Sequence, residues 1–502
     1  NSVAIGNNAL FSQNGTNGNV YNVAIGKNAG FAVTTGVSNT LIGALAGDAI
    51  TTGNNNIAIG YQALTTNILS DKNVALGNYA LASHTQGSSI DSYNVGVGFE
   101  AGLLLTTGLE NTIIGGAAGD ALTDADFNVA VGTYALTTDT LGSKSTAIGA
   151  AALNKQNFTS ATDSFNTAVG FSAGKEVTTG IYNTLIGGLA GDALTDADNN
   201  VAVGRAALST DTLGSCSVAI GRNALVTQNF SSATDSFNVA VGDRAGAAVT
   251  TGTLNTLIGA LAGDAITTGN SNVAVGYQTL SADTLGDRNV AIGLQALMSQ
   301  NFTSSTDSYN TAVGYAAGLS VTTGQVNTLV GGLSGDALTT GGENTAIGYK
   351  TLSANTTGAY NTALGSRALA NFNNTTSAGT YNTAVGYNAG NDVTTGVENT
   401  IIGGLAGDAL TEGGLNVAVG TSALGVDTKG SRNVAVGVSA LNQQNFTSAT
   451  NSYNTGVGYQ AGGAVTTGVQ NTLIGGLAGD ALTSSSDNTA VGYQALGSAI
   501  TG

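Results

Sequence analysis

The stretch Asn183-Thr-Leu-Ile-Gly-Gly-Leu-Ala-Gly-Asp-Ala-Leu194 occurs seven times in nearly the same form. The copies follow one another at intervals of 72 residues and begin at Asn39, Asn111, Asn183, Asn255, Asn327, Asn399 and Asn471. A fixed period that runs through a whole chain is typical of a repeat array, in which each unit packs mainly against its neighbours. We therefore expect residues 1–502 to form a single continuous repeat domain.

A shorter motif, Asn-x-apolar-apolar-Gly, recurs 28 times, four times in each full 72-residue unit. Within the unit the motif glycines are separated by 17, 17, 17 and 21 residues. Val or Ile precedes the glycine in all but two motifs, and β-branched residues favour strands. Seventeen residues are too few for a strand, a crossover helix and a second strand. The spacing predicts an all-β fold, a parallel β-solenoid of 28 coils, roughly 130 Å long at about 4.8 Å per coil.

Alternation along each strand places the Val or Ile on one face and an Ala on the other. We expect the Val or Ile column to be the buried core, and its members in the opening coil of each unit are Ile42, Ile114, Ile186, Ile258, Val330, Ile402 and Ile474. The Asn four residues before the motif glycine occurs in 25 of 28 coils, which predicts a stacked, hydrogen-bonded ladder of side-chain amides. Leu185, which replaces the usual Ala, is predicted to contact a neighbouring protomer.

Composition excludes two classes of function. Thirteen basic residues against thirty acidic ones give a net charge of −17, and no basic cluster is present. Phosphate binding needs clustered Lys and Arg, so nucleic acid is not an expected partner. No apolar run reaches the roughly 18 residues that a membrane-spanning helix needs, so we expect no membrane span.

The sequence contains no repeated catalytic set. Cys216 and His84 each occur once, and a two-cysteine metal site is excluded. We therefore expect neither an enzyme nor a cofactor. One Asp recurs in every unit, at Asp48, Asp120, Asp192, Asp264, Asp336, Asp408 and Asp480. Such oxygens would suit calcium, but the acids that follow them are not repeated, which favours a solvated or turn-capping role.

Three surface features suggest binding. The 21-residue coil carries the Asn-x-Ser/Thr sequon in four copies, at Asn157, Asn229, Asn301 and Asn445. These residues predict a row of glycans about 19 Å apart, with a plain turn as the alternative. Thr-Thr-Gly turns suggest an ice-binding face, and tyrosines such as Tyr315 suggest sugar contact. Ordinary turn chemistry and aromatic packing are the competing interpretations.

The segment Asn1-Ser-Val-Ala-Ile-Gly6 resembles the signature of the YadA-like head of trimeric autotransporter adhesins. Asn344-Thr-Ala-Ile-Gly-Tyr-Lys-Thr-Leu352 is similar to related repeats of phage tail fibres. The resemblance implies a left-handed parallel β-roll, often trimeric, that is extracellular or on the cell surface and acts in adhesion.

The two ends of the sequence suggest assembly. The chain opens at Asn1 without an initiator Met, which indicates a processed product or a segment of a longer array. Joining Gly502 to Asn1 would separate the nearest motif glycines by 16 residues, one short of the regular 17.

We therefore expect head-to-tail polymerisation into an extracellular fibre. The contacting ends would be Asn1, Val3 and Ile5 on one side and Val491, Ala495, Leu496 and Ile500 on the other. A lateral homo-oligomer is also expected, with a host or surface glycan or protein as a further partner. The alternative function is a monomeric or trimeric rod that binds a receptor, a glycan or ice.

Overall fold

The computed structural model describes residues 1–14, 18–375 and 379–498. These residues form strands and turns, with no helix among them. The predicted all-β parallel solenoid with 17-residue spacing is confirmed. The chain divides into two compact units, Asn1–Thr251 and Gly252–Gly502. Each unit contains fourteen three-residue strands, one per coil. A single continuous domain and a left-handed winding stay predictions.

The described residues of the first unit form eighteen strands, fourteen of three residues and four of two residues. In chain order they are β1 (Val3–Ile5), β2 (Val23–Ile25), β3 (Thr40–Ile42), β4 (Ile57–Ile59), β5 (Val74–Leu76), β6 (Val95–Val97), β7 (Thr112–Ile114), β8 (Val129–Val131), β9 (Gly142–Ser143), β10 (Thr146–Ile148), β11 (Thr162–Asp163), β12 (Thr167–Val169), β13 (Thr184–Ile186), β14 (Val201–Val203), β15 (Gly214–Ser215), β16 (Val218–Ile220), β17 (Thr234–Asp235) and β18 (Val239–Val241).

The second unit repeats this arrangement. Its strands are β19 (Thr256–Ile258), β20 (Val273–Val275), β21 (Gly286–Asp287), β22 (Val290–Ile292), β23 (Thr306–Asp307), β24 (Thr311–Val313), β25 (Thr328–Val330), β26 (Thr345–Ile347), β27 (Thr362–Leu364), β28 (Thr383–Val385), β29 (Thr400–Ile402), β30 (Val417–Val419), β31 (Gly430–Ser431), β32 (Val434–Val436), β33 (Thr450–Asn451), β34 (Thr455–Val457), β35 (Thr472–Ile474) and β36 (Thr489–Val491).

Three-residue strands of successive coils pair in parallel without any shift of register. Thr167–Val169 lies opposite Thr184–Ile186, residue for residue, and the next coil continues in the same way. The two-residue strands pair with one another across the 21-residue coil, as Gly142–Ser143 does with Thr162–Asp163. Equivalent residues therefore form straight columns along each unit.

Burial reverses the predicted faces of the strand. The middle residue, Ala, Leu, Ile or Gly, points inward, and Leu185 is fully buried. The prediction that Ile42, Ile114, Ile186, Ile258, Val330, Ile402 and Ile474 form the core is wrong for the single chain. Five of these side chains are 38–39% exposed, namely Ile114, Ile186, Ile258, Ile402 and Ile474. The other two, Ile42 and Val330, are half-buried. The predicted contact of Leu185 with another protomer is wrong for the same reason.

The interior of the coil is too narrow for a column of large side chains on the strand. Where the strand carries Leu185, the following turn carries Gly191, and a Cβ there would lie 2.7 Å from the Leu185 Cδ2. Where the strand carries Ala202, the equivalent turn residue is the fully buried Leu208. Where both places are small, as with Ala168 and Gly174, leucines of the neighbouring coils fill the space, and a Cβ on Gly174 would lie 2.7 Å from Leu185 Cδ1. This filling of the interior maintains close packing.

The motif glycine is required by both its backbone and its neighbour. Gly187 has φ of +134°, and a Cβ on it would lie 2.5 Å from the carbonyl oxygen of Gly204 in the next coil. Only glycine adopts this conformation without strain. Because Gly204 meets Gly221 in the same way, the glycines stack as a continuous column.

The asparagines stack in the predicted column, but the bond that recurs from coil to coil runs from a backbone N–H to the Oδ1 of the preceding Asn, and bonds between side-chain amides occur only in some coils. The backbone N–H of Asn183 donates to Oδ1 of Asn166 at 2.9 Å, and that of Asn200 donates to Oδ1 of Asn183 at 3.0 Å. The side-chain Nδ2 of Asn183 also donates to the backbone carbonyl of Ala197 at 2.7 Å. All three ladder residues are fully buried. The ladder pairs backbone groups that would otherwise be buried without a partner, which is costly.

Candidate interaction surface

The first and third residues of the three-residue strands form the outer sheet face of each unit. In all 28 strands both positions are occupied only by Val, Ile, Leu or Thr. Alternation along the strand and the narrow interior together turn these β-branched residues outward. The third position is the more exposed, with Ile148 and Ile220 both 38% exposed. Each unit thus presents an uncharged sheet face that is apolar at the third position, while Thr occupies 15 of the 28 first positions.

The size of this face exceeds what a soluble monomer usually exposes. If each of the fourteen third-position side chains of a unit leaves roughly 40–60 Å² open, the column amounts to roughly 600–800 Å². That is about one partner's share of a standard protein–protein interface. The outer sheet face is therefore the main candidate surface.

Charged side chains lie in the turns and the long coils. Lys72 Nζ lies 2.7 Å from Asp91 Oδ2 and 4.9 Å from the ring centroid of Tyr93. Lys144 with Asp163 and Arg288 with Asp307 repeat this arrangement one and three 72-residue units further along the chain. The hydrogen bond from Lys72 lowers the pKa of the Asp91 carboxyl. The pairs are exposed, so each contributes little to stability.

Cys216 occupies the same place as these basic residues. Its Sγ lies 3.7 Å from Asp235 Oδ1. Burial, followed by the charge and the hydrogen-bonded contact of Asp235, raises the pKa of the thiol. A nucleophilic cysteine needs the opposite shift, so this position offers no activated thiolate.

The four sequon asparagines occupy equivalent positions at the start of the long loop. The Oδ1 atoms accept hydrogen bonds from the threonine hydroxyls of the preceding coil at 3.0–3.2 Å, in the pairs Asn157–Thr140, Asn229–Thr212, Asn301–Thr284 and Asn445–Thr428. The Phe that follows each Asn is buried and anchors the loop. Glycosylation of these residues stays a prediction.

The recurrent Asp lies in a partly buried turn. In the first two copies it accepts a hydrogen bond from a Thr of the next coil, in the pairs Thr65–Asp48 and Thr137–Asp120. In Asp192, Asp336 and Asp480 the Oδ1 atom is buried without a hydrogen-bond partner. Desolvation raises the pKa of Asp192, Asp336 and Asp408. In residues 1–14, 18–375 and 379–498, no group of three or more His, Cys, Asp or Glu is placed to hold a metal ion.

An open polar groove of about 280 Å³ lies beside one of these aspartates. Its lining includes Asp480, Gln460, Asn442 and Ser439. A groove of the same volume lies among Arg367, Asn371 and Asn391, 72 residues earlier in the repeat. Amide and hydroxyl groups of this kind suit hydroxylated ligands.

Buried aspartates form a second polar set inside the long coils. Each carboxylate accepts a hydrogen bond from a buried Gln at 2.6–2.7 Å, in the pairs Asp139–Gln156, Asp211–Gln228, Asp283–Gln300 and Asp427–Gln444. Burial raises the pKa of Asp283 and Asp427. Two other long coils carry Asn in place of Asp, and there His84 and Phe372 replace Gln. In these six coils the buried carboxylate is therefore present only where a Gln amide donates to it.

His84 is fully buried and neither ring nitrogen has a hydrogen-bond partner. Desolvation lowers its pKa to about 4, and the Thr106 backbone offsets this only in part. In the unfolded chain the pKa of His84 is higher, about 6.5. The free energy of unfolding is therefore undiminished by His84 above pH 6.5, and it falls as the pH drops towards 4, because the unfolded chain takes up the proton more readily. The loss should reach roughly 3 kcal/mol.

We expect His84→Phe to remove this pH dependence without loss of stability at pH 7, since Phe372 fills the equivalent place. Urea unfolding of both proteins between pH 7 and pH 4 measures the difference. Equal slopes of stability against pH would contradict the assignment.

The residues predicted to form the assembly ends are more exposed than the equivalent residues of the inner coils. Val3, Ile5 and Val491 are 47%, 57% and 68% exposed, because β1 and β36 each pair with one neighbour, β2 and β35. Asn1 is exposed, Ala495 and Leu496 are half-buried, and Ile500 lies outside the described residues. Polymerisation through them stays a prediction.

Comparison with protein-family models and with curated proteins gave no match to a family or to a relative. No helix suited to crossing a lipid bilayer is found in the described part of the chain.

Proposed function

We propose that the chain is a structural subunit of an extracellular or cell-surface fibre, in which copies associate laterally through the outer sheet face and stack head to tail. Its partners are copies of itself and, through the long loops, a host or surface glycan or protein in an adhesive role. It has no catalytic role and does not bind nucleic acid.

The single observation that carries this proposal is the composition of the outer sheet face. A face of fourteen strands per unit without one charged or amide side chain is poorly suited to permanent contact with water. Packing against a second such face would release that water, with about 25 cal/mol gained for each Å² of apolar surface buried.

Head-to-tail stacking is supported by the uniform register of the coils. Each coil offers the next one the same backbone groups and the same ladder Asn, as Asn183 does to Asn200. An edge strand that remains unpaired in such a stack invites a further strand of the same kind.

Sedimentation velocity and electron microscopy of the purified protein test the proposal. We expect concentration-dependent association into filaments or bundles that persists in 1 M NaCl, because apolar contacts are not screened by salt. A monodisperse monomer at high protein concentration would overturn it.

A ligand-binding rod is the second candidate function, and the recurring polar groove favours it. The grooves beside Asp480 and Arg367 present amides and hydroxyls of the kind that bind glycans. A glycan array and an ice-recrystallisation assay test this candidate. Binding by a chain that stays monomeric would favour it over the fibre.

A further inference from the structure

One pair of surface positions varies together between the copies of the 72-residue unit. The first position follows the motif glycine of the coil after the long loop, and the second follows the motif glycine of the next coil. Five copies have an aromatic residue and then Gly, in the pairs Phe99–Gly116, Phe171–Gly188, Tyr315–Gly332, Tyr387–Gly404 and Tyr459–Gly476. The other two have a charged residue and then Ala, in the pairs Lys27–Ala44 and Asp243–Ala260.

The chain itself does not require these five glycines. A Cβ on Gly116, Gly188 or Gly404 would meet no atom within 4 Å. On Gly332 and Gly476 it would make only ordinary contacts, 3.7 and 3.5 Å from ring carbons of Tyr349 and Tyr493. None of the five has a positive φ. The motif glycines that are followed by a further coil, in contrast, have both a positive φ and a crowded Cβ position. Two other 72-residue units carry an alanine at the position in question, Ala44 and Ala260.

The aromatic partners are also open. Phe99, Phe171, Tyr315, Tyr387 and Tyr459 are 55–64% exposed. Their rings do not cover the paired glycines, since no ring atom of the preceding coil lies within 4 Å of the Cβ position. Each pair therefore presents a large exposed ring and a glycine whose Cβ position is open. The space is empty at Gly116, Gly188 and Gly404, whereas a tyrosine ring of the next coil borders it at Gly332 and Gly476.

Each pair lies directly beside the outer sheet face. Ile186 of that face is followed by the motif glycine Gly187 and then by Gly188. A partner that covers the outer sheet face must therefore pass over this backbone as well. The rings recur with the same 72-residue period as the glycines, about 19 Å at four coils per unit.

We infer that the occupant of these glycines is a second copy of the chain, whose exposed aromatic rings pack onto the bare backbone. A ring on one chain requires that the glycine it contacts on the neighbouring chain has no Cβ. A 72-residue unit without the ring places no such requirement on the neighbouring chain. This explains why Gly accompanies the aromatic and Ala accompanies Lys27 and Asp243. Every ring meets a glycine only when equivalent 72-residue units of the two chains face each other, so the contacts would hold the two chains in register. The inference rests on the lateral packing proposed above.

The test is the fivefold Gly→Ala variant at positions 116, 188, 332, 404 and 476, compared with a fivefold variant that replaces the paired rings by Asp, the residue at position 243. Both are compared with wild type by sedimentation velocity and thermal unfolding. We expect each variant to weaken lateral association at least tenfold, and the combined variant to be no weaker than either alone. The Gly→Ala variant should melt at the same temperature as dissociated wild type or a few degrees higher, because Ala restricts the unfolded chain.

Unchanged association of the Gly→Ala variant would overturn the inference, while a wild-type chain that never associates would overturn the proposed function instead. Titration with a neutral glucose hexasaccharide provides the remaining outcome. If the Gly→Ala variant loses binding of the sugar but keeps its association, the occupant is a carbohydrate ring and the second-copy inference fails.

Discussion

Gly187→Ala is expected to unfold the coils around residue 187, whereas Gly188→Ala, one residue further on, is expected to leave them folded. At position 187 a side chain meets two penalties, a φ of +134° and a Cβ placed 2.5 Å from the Gly204 carbonyl oxygen. We expect a local loss of about 4 kcal/mol or more. At position 188 neither penalty applies.

Hydrogen exchange provides the measurement, because damage in a repeat array is local and can escape a global melting curve. The N–H of Gly204, which donates to the Ile186 carbonyl at 2.7 Å, should lose its protection in Gly187→Ala and keep it in Gly188→Ala. Equal protection in the two variants would show that the glycine column is not required by the fold.

The outer and inner columns of the strand should respond in opposite ways to charge. We expect a fourfold Lys variant in the first unit, at Ile114, Ile148, Ile186 and Ile220, to keep its fold, since these side chains are already 38–39% exposed. Its lateral association should fall by at least about a thousandfold, because each buried Ile contributes roughly 1.5–3 kcal/mol to a contact. Sedimentation velocity measures the association and circular dichroism the fold.

Leu185→Asp is the matched control for this variant. Leu185 is adjacent in sequence but fully buried, so the carboxylate would be buried without a partner and should destabilise the coil. If the fourfold Lys variant unfolds and Leu185→Asp stays folded, the Val or Ile column is the buried core and the orientation of the strand described above is wrong.

Much of the fold could be predicted from spacing alone. The 17-residue period required one coil per motif, and the Asn column required a ladder, since equivalent residues of a solenoid lie above one another. The orientation of the strand could not be predicted from side-chain size. Larger residues such as Val203 are usually the buried ones, but in this strand the smaller Ala202 lies inside the narrow coil. The available signal was that a large residue at the place of Leu185 never occurs with a large residue at the turn place of Gly191, because the two side chains share one interior space.

The candidate surface could be predicted less well. Periodicity places Asn157, Asp192 and Tyr315 on repeating columns, yet it does not say which columns face outward or which side chains have partners. The hydrogen bond between Asn157 and Thr140, and the unpaired Oδ1 of Asp192, depend on the backbone of the neighbouring coil. The pairing of aromatic residues with glycines was visible in the sequence. A contact with a second chain could be inferred from this pairing only with the structure, which shows that the fold of the single chain does not require these glycines.

The most direct test of the central claim is the reactivity of a cysteine on the outer sheet face. Ile186→Cys in a Cys216→Ser background places a single thiol there. Its rate of modification by a maleimide should be high in dilute solution and fall at least tenfold at concentrations where the protein assembles. The same rate in dispersed and assembled protein would show that the outer sheet face is not the contact between copies.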